Sequence, residues 1–257
     1  MTPAAIDAAA HFLVAARQSR RPGERIPEAS RPNDLDAALA IQKRVTELLG
    51  MPIGGWKCSV PTTPRPVSMA PIYAPTVFST SPCPILPIGG LARIEPEIAF
   101  VIARDLPRRA TPYGEAEVRA AIRTPHLVLE LIGPRYADPT TATFPELLAD
   151  AVANHGLFIG PAVPNALDHG LDTFPIAIDA GGKSLHAVQG KHPDGHPLKP
   201  LVWLANYLAE NGNGLAAGQL VTTGSYCGVV DVPLGTPLSV RFGELGTLSV
   251  EFSALAR

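Results

Sequence analysis

No run of lysine or arginine occurs anywhere in this sequence, and its formal net charge is only −2. A nucleic-acid-binding chain carries a basic face or stripe, so that class of partner is excluded. Long apolar runs are missing too: none approaches the roughly 20 residues needed to span a bilayer as a helix. The first stretch, MTPAAIDAAAHFLVAARQSR, has no basic leader and is broken by Asp7 and Arg17. It is expected to be a surface helix, not a signal peptide. Cysteine is scarce, with only Cys58, Cys83 and Cys227, odd in number and far apart. That excludes a disulfide framework and a cysteine-type metal site, and it suits free thiols in a reducing cytoplasm. The G-x-S-x-G nucleophile pattern, the P-loop and the dinucleotide fingerprint are all absent.

What is present is a chain of 257 residues that is 46% hydrophobic and 17% charged, enough for a substantial core. Its 28 prolines are scattered among short apolar runs, which favours many short strands over a helical bundle. Thr2-Pro3 opens a first helix with a capping residue and a proline in the first turn. Asn33, with Asp36 three residues on, is expected to cap a second helix that Gly50 ends. Past Gly54 the pattern turns to strands, with 92–103 and 126–132 the clearest. Short helices are expected at 115–122 and 144–151, and a longer one from Pro200 to Asn211. Gly181-Gly182 marks one hairpin, and alternating apolar residues on either side of GELG mark another. The division expected is a helical N-terminal portion, 1–53, and a β-rich catalytic portion, 54–257, sharing one core.

Three places carry candidate chemistry. In RIEPEIAF, Glu95 and Glu97 lie two apart and therefore share a strand face. Two carboxylates there repel unless they are solvated, protonated or joined by a cation. Glu130 sits alone in the apolar run HLVLELIG, and three such carboxylates on neighbouring strands would make an all-oxygen site for a hard divalent ion. A solvated strand face explains the same residues without any ion. Lys57, in GGWKCSV, either snorkels to water or is desolvated near carboxylates as a proton donor or anion anchor. The link TTGSYCG, 222–228, is either an ordinary turn or a set of backbone N–H groups and a Ser225 hydroxyl facing a substrate carboxylate. His126, His155, His186 and His196 show no ligand spacing.

Five stretches, GWKCSV, RIEPEIAFVIARDLP, HLVLELI, the run from Gly195 through Ser225 and PLGTPLSVRFGELGTLSVEF, together resemble the 2-keto-4-pentenoate hydratase family of the fumarylacetoacetate hydrolase superfamily. The resemblance spans about Asp34 to Phe252 and includes the family's hydratase/decarboxylase branch. It implies an α+β fold, a mixed β-sandwich roll with a helical N-terminal part. It also implies Mg²⁺ or Mn²⁺ held by Glu95, Glu97 and Glu130, a catalytic Lys57, and a substrate-binding set of Thr223, Gly224, Ser225, Thr62, Arg135 and Asn154. The family's chemistry would be hydration of a 2-hydroxy-2,4-dienoate to a 4-hydroxy-2-oxo acid in aromatic-compound catabolism. Decarboxylation of a 2-oxo dicarboxylate such as 4-oxalocrotonate, or a non-catalytic paralogue partnering an active subunit, are the alternatives. A cytoplasmic homo-oligomer acting on a small molecule, with no nucleic-acid or membrane partner, is the expected setting.

Several positions depart from the family pattern. Gly133 and Pro134 stand where hydratases usually carry an acid and a serine, although Arg135 persists. The Asp-Asn-Ala-Ser type of motif is reduced to VANHG, keeping Asn154 but without its acid and serine. Met69 replaces an aspartate, and CSVPTTP replaces the usual Gly-Leu-Thr-Ser after the lysine. These departures leave the metal core intact and put the substrate's identity in question.

Overall fold

In the computed structural model, residues 1–61, 67–212 and 214–255 are described. Helix α1 (Pro3–Ser19) starts as the sequence dictates, with the Thr2 hydroxyl accepting from the Ala5 N–H. Helix α2 (Leu35–Leu49) ends on left-handed Gly50, but its cap is Asp34 rather than Asn33. Asp34 is the residue with extended backbone immediately before the helix, and its carboxylate accepts from Ala37 N–H at 2.8 Å.

The strands and remaining helices follow in a nearly unbroken series. They are β1 (Ile53–Ser59), β2 (Ser68–Tyr73), β3 (Val77–Phe78), β4 (Cys83–Ile85) and β5 (Leu91–Ile102), then α3 (Glu115–Ala120) and β6 (Ile122–Ile132). After α4 (Phe144–Ala149) come β7 (Asn154–Ala162), β8 (Thr173–Ala180), β9 (Lys183–Lys191) and α5 (Leu198–Asn211). The chain closes with β10 (Leu220–Thr222), β11 (Val230–Pro233), β12 (Leu238–Phe242), β13 (Gly246–Val250) and β14 (Phe252–Ala254). Several boundaries shift by a few residues from the sequence expectation: β5 spans Leu91–Ile102, α3 and α4 stop at Ala120 and Ala149, and α5 starts at Leu198. Strand β6 begins at Ile122, not His126, because it runs straight through Pro125, and β7 starts at Asn154, inside the VANHG stretch.

The larger sheet has the order β2-β1-β10-β5-β6-β7-β3, with β11 added to the far end of β5. The smaller one has the order β13-β12-β8-β9, and its β12–β13 hairpin pairs Leu238 with Val250 and Val240 with Leu248. Strand β13 packs on β6 and β7, so the two sheets enclose the main core with α5. Leu127, Leu129 and Leu131 of β6 and Ile94, Ile98 and Phe100 of β5 face that core. Their neighbours on the opposite face are also apolar: Ala99, Val128, Leu157, Ile72 and Leu220 form a second buried cluster. The larger sheet is thus buried on both sides at its centre, which explains the nearly continuous apolar runs. Helices α1 and α2 pack with α4 and Tyr136 in a third cluster. Gln42 ties this layer to the sheet by donating to the carbonyls of Met69 and Leu148. Met69 itself is a buried core residue.

Candidate active site

The register of the central strands assembles the site. Glu95 of β5 lies directly opposite Glu130 of β6, and Glu97 follows two residues on, on the same face. On the other flank, Ala99 pairs with Thr222 of β10, which in turn pairs with Lys57 of β1. Four strands therefore bring Lys57, Thr222, Glu95, Glu97 and Glu130 to one face, and that face is not a wet surface. Glu97 is 2% exposed and Glu130 is fully buried.

Oxygens of Glu95, Glu97 and Glu130 lie within 4.8 Å of one another. Burial pushes the Glu95 carboxyl up to about 7, and the nearby Glu130 adds to the effect. Glu97 is raised further by burial and by both other carboxylates. Lys57 Nζ donates to Glu130 Oε1 at 2.6 Å and reaches the Val152 carbonyl at 3.4 Å. Burial alone would disfavour its charge, but the carboxylates of Glu130, Glu95 and Glu97 outweigh that, and its pKa is raised. One ammonium thus faces three carboxylates. A divalent cation fits the deficit, and the all-oxygen donor set suits a hard ion. Glu130 Oε2, buried and without a hydrogen-bond partner among the described residues, is a ready ligand atom.

Neighbouring groups fix the carboxylates in place. Asn154 Nδ2 donates to Glu130 Oε1 at 3.0 Å, and the Gly224 N–H donates to Glu97 Oε2 at 3.0 Å. Thr223 is buried beside Gly224. The Ser225 hydroxyl is engaged locally with the carbonyls of Pro96 and Gly228. Arg135 lies behind Asn154, not in the triad. Its guanidinium is 2% exposed and bonds to the Asp150 side chain, the Gly133 carbonyl, the Asp150 carbonyl at 2.6 Å and the Asn154 carbonyl at 2.9 Å. Thr62 lies outside the described residues. Arg93, on the same strand face as the glutamates, pairs instead with Asp231 of β11.

Residues 151–153 form a left-handed turn, with φ of +58°, +49° and +60° at Ala151, Val152 and Ala153. No glycine eases these conformations, each costing about 1–2 kcal/mol. The turn is held at both ends, by Arg135 on Asp150 and Asn154 and by Asn154 on Glu130. It also supplies the Val152 carbonyl to Lys57. An acid is therefore present at this motif after all, as Asp150, four residues before Asn154. Sequence reasoning passed over it, and its only local signal is its place just ahead of VANHG. Gly133 and His155 are likewise one feature. A Cβ on Gly133 would lie 3.0 Å from the His155 side chain, so the imidazole occupies the space of any side chain at 133. Thr222 was also missed. Its Oγ1 is buried on the site face without a hydrogen-bond partner among the described residues.

Among known proteins, no family model matches the chain. It is 26% identical to a 2-keto-4-pentenoate hydratase of Paraburkholderia xenovorans over 266 residues, covering 99% of this chain and 97% of that protein. A 4-oxalocrotonate decarboxylase of Pseudomonas putida is 30% identical over 160 residues, 62% of this chain and 60% of the relative. Among solved structures, the 4-oxalocrotonate decarboxylase of Pseudomonas putida G7, complexed with magnesium and adipate, superposes with a TM-score of 0.79. That match covers 98% of this chain and 99% of the other at 21% identity, and so bears on the fold. Over its full length the chain is thus similar to 2-keto-4-pentenoate hydratases, and it shares the α+β fold of the decarboxylase structure.

Proposed function

We propose that this protein is a hydro-lyase that uses Mg²⁺ or Mn²⁺ to add water to a 2-hydroxy-2,4-dienoate, yielding a 4-hydroxy-2-oxo acid in aromatic-compound catabolism. The observation that carries the proposal is the convergence of Glu95, Glu97 and Glu130 on one buried face beside Lys57. When bound there, the cation would supply electron withdrawal from a chelated 2-oxo or 2-enol carboxylate. The rest falls to the chain's own groups. Asn154 and the Gly224 N–H orient Glu130 and Glu97 before any ligand arrives, so little reorganisation is left for the reaction itself. Lys57, hydrogen-bonded to Glu130, is placed to hold or pass the proton that ketonisation of the dienol requires. Thr223 and the backbone at Gly224 and Ser225 would anchor the substrate carboxylate. The apolar cluster of Ile72, Ala99, Val128, Leu157 and Leu220 lines the same sheet face and limits water there.

The experiment is a substrate panel with Mg²⁺ present. 2-Hydroxypenta-2,4-dienoate is expected to lose its conjugated ultraviolet absorbance as water adds. The similarity to 4-oxalocrotonate decarboxylases supports a second reading, in which the same site releases CO₂ from a 2-oxo dicarboxylate. CO₂ from 4-oxalocrotonate without consumption of the dienoate would favour it. No turnover across the panel by metal-loaded protein would sink both. A closed homo-oligomer in the cytoplasm belongs to the same proposal, and light scattering that finds only monomer across a wide concentration range would remove the assembly.

A further inference from the structure

The sequence His192-Pro193-Asp194-Gly195 encodes a β-turn, with proline at its second position and glycine at its fourth. It folds as one: the Gly195 N–H donates to the His192 carbonyl at 3.0 Å, and Gly195 takes φ +79°. This turn sits directly on the substrate-anchoring link. A Cβ on Gly224 would lie 2.7 Å from Pro193 Cγ, and Asp194 Oδ2 accepts from the Val60 N–H just beyond β1. The turn therefore touches both the anchor and the strand that carries Lys57.

His192 is fully buried at the centre of this contact, its ring edge-on to Tyr226 at 5.3 Å. Its Nδ1 lies 3.1 Å from the Asp194 backbone nitrogen, which can only donate. Nδ1 must then be the bare, accepting nitrogen, so the ring proton resides on Nε2. That nitrogen lies 3.4 Å from Thr223 Oγ1. A donor facing the hydroxyl oxygen fills one of its lone pairs and turns the hydroxyl proton away from the imidazole.

We propose that His192 is a positioning residue that fixes Thr223 as a hydrogen-bond donor toward the substrate carboxylate. The inference rests on the 2-oxo acid reading of the site given above. It gives the turn a specific role, because an outward-pointing hydroxyl proton favours an anion and disfavours a ligand that can only donate. Thr223 becomes selective for a carboxylate without carrying a charge, and Lys57 is left to the carboxylate triad.

Two measurements test it. Long-range ¹H–¹⁵N correlation spectra of the metal-free protein should show His192 as the Nε2-protonated tautomer at neutral pH. A proton on Nδ1 would overturn the proposal whatever the protein catalyses. Calorimetric binding of pyruvate to Mg²⁺-saturated protein supplies the second readout. His192→Phe and Thr223→Val should each weaken pyruvate about tenfold, and the double variant no more than either single one. His192→Gln, whose amide N–H can replace Nε2–H, should bind within about threefold of the parent. Additive losses, or unchanged binding in Thr223→Val, would refute the coupling. If the parent itself fails to bind pyruvate, the 2-oxo acid reading falls, and the tautomer alone then decides the direction of the hydroxyl. Melting temperatures of the variants separate a lost hydrogen bond from a lost fold.

Discussion

Replacing Glu97 by glutamine should stabilise the metal-free protein and abolish its response to metal, two effects of opposite sign. Charges within 4.8 Å of one another, at an effective dielectric of about 20, repel by about 3.5 kcal/mol per pair. Much of this is already relieved by proton uptake. Burial and Glu130 lift Glu95 to about 7, and burial with both neighbours lifts Glu97 well above the usual carboxylate range. A residual gain of ~1–2 kcal/mol is therefore expected for Glu97→Gln near pH 8 in chelator. The amide oxygen can still accept from the Gly224 N–H, so the turn at 224 is kept. In the parent, Mg²⁺ at a hundred times its dissociation constant should add about 2.7 kcal/mol. For a chain of this size that is a rise of roughly 5–10 °C in melting temperature. Differential scanning calorimetry of both proteins, with chelator and with Mg²⁺ or Mn²⁺, gives four values. If chelated Glu97→Gln melts below chelated parent, or if the parent ignores both ions, the triad is not a metal site.

Asp150→Asn removes the buried partner of Arg135 and should cost about 3–5 kcal/mol in urea unfolding, because the guanidinium stays buried and unpaired. His155 is held near pH 3, first by burial and then by the charges of Arg135, Arg17 and Arg20. The folded chain thus keeps this imidazole neutral while the unfolded chain protonates it at about 6.5. Stability should fall as pH drops from about 6.5 towards 3, by up to about 4 kcal/mol from this group, and His155→Leu should flatten that limb. Ala153→Gly should be neutral or stabilising by about 1 kcal/mol, since its φ of +60° suits glycine. A loss of stability in denaturant titrations would mean that the left-handed turn stores no strain.

The parts of the fold set by local pattern could be read directly. The Thr2 cap, the Gly50 stop and the β12–β13 hairpin all lie where spacing and turn chemistry put them. Glu95 and Glu97 stood out because a charge in an apolar alternation is a local anomaly. Glu130 and Lys57 stood out singly in their apolar runs, but only family resemblance joined them to the pair as one site, since nothing local links Lys57 to Glu130, 73 positions away. Arg135 shows the limit of such transfer: expected against substrate, it is spent on Asp150 and two further carbonyls behind Asn154. His192 was passed over because its meaning depends on Thr223, 31 positions away, although the turn that presents it is legible in four letters. Strand β6 begins four residues ahead of the stretch read as a strand and includes Pro125.

The contact between Gly133 and His155 constrains how this chain could have diverged. A side chain added at 133 while His155 is in place meets the imidazole at 3.0 Å, closer than packed carbons normally approach. The reverse order is open: a smaller residue at 155 first vacates the space, and an acid can then enter at 133. Seen as a path through sequence space, a change at 133 and one at 155 are coupled, and only one order avoids a poorly packed intermediate. A laboratory lineage led towards an acid at 133 should therefore acquire its change at 155 beforehand, and chains of this fold with an acid at 133 should carry something smaller than histidine at the position facing it.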